Sequence, residues 1–286
     1  MGHTTPPRIN EEDYHLMKKI AKHNFVDMYY IYDFYKTECK KKTVDERINQ
    51  LAKYDYLAVI HTFIPKEYTF KDFRHGYKIV ALGNRGVELL NGFGIEAKKV
   101  VPTLRDASPY RMYHQAQVAT VCDKIEQRYK DNESGYEVFA ILSEREIFID
   151  GGRNMPDAVI VFHPKEKYIT EQTKDVYIAV FIEIERSYAS PHRIEHKIVS
   201  YTNNFYDRTF VKKIGLPIVA QRLLFVSQTD GQYNTIKDKI NAVKQNSIEI
   251  LCGKYSEVCK ESDKAIYENP RRKDDKKYKL LSDMSE

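Results

Sequence analysis

Three carboxylates interrupt apolar stretches of this chain. Asp157 follows Pro156 and opens the run 158–162, and Glu183 and Glu185 stand two apart near the end of the almost wholly apolar run 176–184. In a strand, a spacing of two puts both side chains on one face, about 6.7 Å apart along the strand. A carboxylate in an apolar strand is costly unless it is paired, hydrogen-bonded or metal-bound. Three convergent carboxylates could hold a hard divalent cation such as Mg²⁺ through oxygen ligands, with Asp157 and Glu183 as its protein ligands. Such a cation could activate water for phosphodiester cleavage. Lys197, on the helix expected after the second run, completes a candidate catalytic set of Asp157, Glu183, Glu185 and Lys197. The same acids could equally pair with Arg186, Arg193 or Lys197 in a structural salt-bridge cluster, which is weak evidence of function. His114, His192 and His196 lie near these runs and read as exposed or satisfied histidines rather than ligands.

A second group of residues suits a nucleic acid. Residues 1–100 hold 17 Lys and Arg against 13 Asp and Glu, so nearly all of the chain's net charge of +5 lies in its front third. A local basic excess is the electrostatic footprint of a phosphate-binding surface. The helical run 44–54 presents Thr43, Arg47, Asn49, Gln50 and Lys53 at polar positions, and Arg, Asn and Gln are the side chains best suited to base edges in the major groove. Lys40, Lys41 and Lys42 lie at its entry, near phosphates in such a complex. Lys71 and Arg74, in the loop 66–75, suit a wing tip resting on the DNA backbone. The bland alternative for the lysine run is a solvated loop.

The elements that must position these residues follow from apolar spacing. Helical periodicity predicts helices over 11–22, 25–35 and 44–54, then two strands at 56–63 and 77–82 and a helix over 83–90. Thr43 with Glu46 three residues on forms an expected capping box for the third helix. Three helices, a two-stranded wing and a further helix is the winged helix-turn-helix order, assigned to residues 1–92. Tyr29, Tyr30, Tyr32 and Tyr35 crowd the second helix and read as core and rim side chains. A linker is expected at 93–107. Residues 108–245 then read as helix, three strands, helix, strand and helix, a mixed sheet flanked by helices. The end, 246–286, is expected to be a helix over 248–267 followed by a flexible charged tail. The expected fold class is therefore mixed α/β, or α+β.

Met155-Pro-Asp-Ala158 on one strand, Phe181-Ile-Glu-Ile-Glu-Arg186 on the next and Lys197-x-x-x-Tyr201 on the following helix resemble the PD-(D/E)XK nuclease superfamily. More narrowly, the pattern resembles the replication-relaxation protein family of mobile elements, over roughly residues 11–244. That resemblance implies an N-terminal winged helix joined to a degenerate restriction-endonuclease-like domain, with a role in plasmid mobilisation or replication. It implies double-stranded DNA as a partner, with a relaxase or other mobilisation protein beside it. An active nuclease of this kind carries lysine two residues after the strand acid, and that position here is Glu185. Lys197 is the candidate migrated lysine, and Arg193, Lys197, Tyr201 and Asn204 fall on one helical face.

Composition bounds the remaining choices. The chain of 286 residues is 42% apolar, enough for two domains. No run of eighteen apolar residues occurs, so no membrane partner is expected, and the start lacks the apolar core of a signal peptide. Cys39, Cys122, Cys252 and Cys259 are widely spaced and lack zinc-ligand spacing, which fits reduced thiols in a cytoplasmic protein. Three functions are compatible with these features: a DNA-binding accessory protein whose second domain binds or dimerises, a Mg²⁺-dependent endonuclease, and a winged-helix transcriptional regulator.

Overall fold

The computed structural model describes residues 6–35, 40–63, 76–101, 104, 107–131, 133–144, 146–148, 155–185, 191–243, 248–272 and 276–281. It is a mixed α/β chain that divides into two compact units, Met1–Thr120 and Val121–Glu286. The division falls inside a helix, not at the expected linker 93–107. Ala97 and Leu104 are buried within the first unit, because this segment carries apolar side chains that unit 1 can cover.

The first unit begins with α1 (Glu11–His23), closed at its start by a reciprocal capping box between Asn10 and Asp13. The sequence predicts one helix over 25–35. The structure instead has a short strand, β1 (Phe25–Asp27), followed by α2 (Met28–Phe34). Asn24 takes a positive φ of 67°, which ends α1, and Asp27 caps α2 by accepting the Tyr30 N–H at 2.7 Å. Helix α3 (Lys41–Lys53) starts earlier than expected. Lys40 is its N-cap without a side-chain cap bond, so the Thr43–Glu46 capping box does not form. Glu46 lies 3.9 Å from Lys42 instead.

Strands β2 (Leu57–Thr62) and β3 (Tyr77–Leu82) follow, then α4 (Asn84–Gly92). The three strands form an antiparallel sheet in the order β1-β3-β2. Period two on β3 covers both of its faces. Val80 and Leu82 join the core of α1, α2 and α3, built on Leu16, Ile20, Ile31, Val44, Ile48 and Leu51. Tyr77, Ile79 and Ala81 face the other way and pack with Met112, Tyr113 and Ala116. The first turn of α4 needs Gly86, where an added Cβ would lie 2.2 Å from the Tyr56 carbonyl oxygen.

Helix α5 (Pro109–Asp131) runs into the second unit. There β4 (Tyr136–Ser143), β5 (Ala158–Pro164), β6 (Tyr177–Glu185), β7 (Ile218–Ser227) and β8 (Glu249–Lys254) form one five-stranded sheet in chain order. The first two pairings are antiparallel and the last two parallel. Helices α6 (Pro191–Tyr206), α7 (Thr209–Ile214) and α8 (Asp230–Ala242) connect or flank the parallel part. Val159, Phe181, Phe225 and Ile250 meet Ile194, Ile198, Phe205, Phe210 and Ile236 on one face. On the other, Tyr129 of α5 stacks edge-on against Phe162 at 4.9 Å. A run buried on both faces, such as β6, suits a central strand.

The largest departure from the sequence reading lies at 246–286. The expected helix over 248–267 is split into strand β8 and the short helix α9 (Tyr255–Glu261). Ile250, Leu251, Cys252 and Gly253 form a short apolar run, which periodicity alone cannot assign to helix or strand. Pairing with β7 decides it. At Gly253 an added Cβ would meet Val258 at 2.7 Å, so glycine allows the close turn into α9. Among the described residues of the expected flexible tail, Tyr267 bridges to Tyr278, Cys252 bridges to Glu268, and Leu280 and Leu281 are buried. The charged run has a partner in Glu268, which ion-pairs with Lys237 and, at 2.5 Å, with Lys277.

Burial alone would push the Glu268 carboxyl up. The Lys237 and Lys277 ammoniums outweigh it and hold the group down at about 2, from an ordinary 4.5. A depressed carboxyl contributes stability that is present above about pH 4.5 and lost as pH falls through the folded value. Glu268→Gln is therefore expected to lower stability at neutral pH and to flatten the acid limb of a urea-denaturation series between those values. An acid limb as steep as wild type would show that the Lys237 and Lys277 ion pairs do not hold this carboxyl down.

Candidate functional site

The end of β6 brings the predicted carboxylates together. Ala158 is the Cα partner of Ile182, which sets Asp157 beside Glu183, and the Asp157 N–H donates to the Ile182 carbonyl at 3.0 Å. Asp157 Oδ2 accepts the Ile184 N–H at 2.7 Å. Glu183 and Glu185 share the face of β6 that packs under α6, as period two requires. They are 1% and 5% exposed.

Lys197 rises from α6 to meet them. Its Nζ lies 2.6 Å from Glu183 Oε2 and 2.5 Å from Glu185 Oε1, and the residue is 8% exposed. Tyr201, one turn further along, donates its hydroxyl to Glu183 Oε1 at 2.6 Å and is fully buried. Of the expected helical face, Lys197 and Tyr201 reach the cluster. Arg193 is exposed, and Asn204 Nδ2 donates to Ser200 Oγ at 3.5 Å. Helix α6 buries Ile194, Ile198 and Phe205 beside Lys197 and Tyr201, so one apolar stripe fixes the approach of the polar pair.

Electrostatics follow from this closure. Burial pushes the Glu183 carboxyl up, Lys197 pulls it down, and Asp157 and Glu185 push it up again, leaving it raised to about 7. Burial pulls the Lys197 ammonium down, but Glu183, Glu185 and Asp157 outweigh it and raise the group, so Lys197 stays charged. The Tyr201 phenol is pushed well above its ordinary range by burial and by Glu183, which keeps it a neutral donor rather than a phenolate.

This arrangement is charge-compensated and closed. The position between Glu183 and Glu185, where a divalent cation would sit, is held by the Lys197 ammonium. Among the described residues, no group of three His, Cys, Asp or Glu is disposed to hold a metal ion. The donor set as arranged therefore does not fit Mg²⁺. Glu185 is the Cα partner of Ser227 on β7, whose buried hydroxyl has no hydrogen-bond partner among the described residues.

The residues assigned to DNA divide differently. Lys40, Lys41, Lys42, Thr43, Asn49, Gln50 and Lys53 are exposed on or at the start of α3. Lys71 and Arg74 lie outside the described residues. Arg47 departs from its expected place at base edges. Its Nε donates to Asp13 Oδ1 at 3.0 Å and its guanidinium also contacts Asp13 Oδ2, Gln50 Oε1 and the Arg8 carbonyl. Asp13 is fully buried, so the strongest available partner for Arg47 lies inside the protein. Asp13 was not singled out in the sequence, although it sits in the buried stripe of α1 with Leu16, Met17 and Ile20. An acid within an apolar stripe, the signal that marked Glu183, marks it too.

Compared with protein-family models, with curated proteins and with solved structures, the chain matches none.

Removing Lys197 leaves two carboxylates buried without their counter-ion, which typically costs ~3–5 kcal/mol. Lys197→Met is expected to lower unfolding stability by about that much, and adding Glu183→Gln and Glu185→Gln is expected to recover most of the loss. Equilibrium unfolding in urea checks both. A single variant as stable as wild type would mean that the ammonium does not compensate these acids.

Proposed function

We propose that this protein is a duplex-DNA-binding accessory factor of a mobile genetic element, acting in mobilisation or replication. Its first unit serves as a winged helix, and its second as a nuclease-like scaffold that binds or dimerises without cutting. The observation that carries the DNA-binding part is the order α1-β1-α2-α3-β2-β3, with the sheet arranged β1-β3-β2 and α3 exposed along one side. That side bears Lys42, Asn49 and Lys53, opposite the buried Val44, Ile48 and Leu51. It suits a recognition helix whose lysines contact phosphates and whose Asn49 reaches a base edge. Gln50 joins it, positioned by Arg47. The mobile-element setting rests on the resemblance of the 155–158, 181–186 and 197–201 motifs to the replication-relaxation family. The non-cutting role is supported by Lys197, which compensates the buried acids, and by Glu185 at the position of the usual lysine.

A Lys42→Glu/Lys53→Glu variant is expected to bind duplex DNA far more weakly in fluorescence anisotropy, with a salt slope shallower by about two. Arg47→Leu is expected to act through stability, because it strands Asp13, and to leave the slope nearly unchanged. An unaltered affinity and slope in the double-lysine variant would remove α3 from the interface.

A second reading, a metal-dependent endonuclease, is favoured by the convergence of Asp157, Glu183 and Lys197. The two readings separate on supercoiled plasmid with Mg²⁺ or Mn²⁺. The accessory reading expects no nicking, whereas nicking abolished by Asp157→Ala would replace it.

A further inference from the structure

His192 and His196 stand one turn apart on the exposed side of α6, away from the carboxylate cluster described above. Their Nε2 atoms lie 3.1 Å apart, closer than their ring centroids at 4.4 Å, so the two imidazoles face each other through these nitrogens. We propose that this pair is a bidentate site for a divalent late transition metal, with Zn²⁺ as the reference ion.

The geometry favours chelation. A metal placed at the ordinary Zn–N distance of about 2.0–2.1 Å from both nitrogens subtends an angle of about 100° at the ion. That value falls between the octahedral and tetrahedral angles, so a rotation of the rings that aims both lone pairs at the ion needs no change in the Nε2–Nε2 distance. Without metal, one Nε2–H donates to the other Nε2. On binding, the donating ring moves its single proton from Nε2 to Nδ1 by exchange with water, so that both Nε2 lone pairs are free for the ion. Imidazole nitrogens select Zn²⁺, Co²⁺, Ni²⁺ or Cu²⁺ over Mg²⁺, which prefers oxygen. Glu195, between the two histidines, lies 3.3 Å from Lys239. Among the described residues, no third His, Cys, Asp or Glu joins the pair.

Chelation across one turn ties the first part of α6, directly before Lys197. Binding to the folded helix and not to the unfolded chain stabilises the fold by mass action. The proposal is independent of DNA binding and of the carboxylate cluster.

Calorimetric titration of the full chain, stripped of metal, with Zn²⁺ tests it. The comparison proteins are His192→Ala, His196→Ala and the double variant, all at exposed positions that leave the α6 core intact. Wild type is expected to show one site that both single variants weaken at least tenfold and the double variant lacks. Its thermal midpoint should rise with Zn²⁺ concentration, while that of the double variant stays flat. Excess Mg²⁺ should not compete. Equal Zn²⁺ stoichiometry and affinity in wild type and the double variant, or no Zn²⁺ binding by wild type, would overturn the proposal.

Discussion

Burial of like charges at the end of β6 is the constraint that orders the second unit. Glu183 and Glu185 must share a face because a strand alternates, and that face is the one α6 covers. Two carboxylates under a helix cannot remain there unpaired. Lys197 answers both at once, and Tyr201 satisfies the remaining oxygen of Glu183. The apolar stripe of α6 sets its place and rotation, and these bonds hold its register along the strand. A shift of α6 by a single residue would withdraw the ammonium and leave the acids exposed to one another.

The first unit solves the same problem in the same way. Asp13 lies inside the apolar stripe of α1 and takes a forked contact from Arg47 of α3. Its other role is to close the capping box with Asn10, whose N–H it accepts at 2.9 Å. One carboxylate thus starts α1 and fastens α3 to it. In both units, a cation that the sequence offers to DNA or to catalysis is drawn inward by a buried acid. The reason is dielectric: a pair removed from water attracts more strongly than an exposed cation attracts a distant solvated anion. This leaves Lys40, Lys41, Lys42, Thr43, Asn49, Gln50 and Lys53 exposed on or at the start of α3, the expected set of that helix without Arg47.

Much of the secondary structure was legible. The limits of β3 follow from alternation, and the order of helix, three strands and helix after residue 108 follows from apolar spacing, each a local signal. That Glu183 and Glu185 share a face was legible, because period two places them so whatever packs above; that Asp157 joins them depends on the pairing of β5 with β6. The closure of the cluster was not legible. Whether Lys197 would face the acids, a metal or solvent depends on the rotation of α6, which its whole apolar stripe sets. The misreadings share a cause. β1 is three residues long and has no period of its own, and β8 is a short apolar run. Both are strands because a neighbouring strand was waiting: β3 for the first and β7 for the second.

What the sequence by itself determined is which residues resist simple burial. Asp157, Glu183 and Glu185 break apolar runs, and that holds in any fold that buries those runs. The tertiary structure alone decided what compensates them, since the nearest cation in space is chosen by helix placement and not by distance along the chain. It also decided that 249–254 is a strand of the sheet, and that Glu268, Tyr267 and Leu280 find partners or burial that no local pattern marks. Local physics writes the elements and marks the costly side chains. Long-range packing selects their partners.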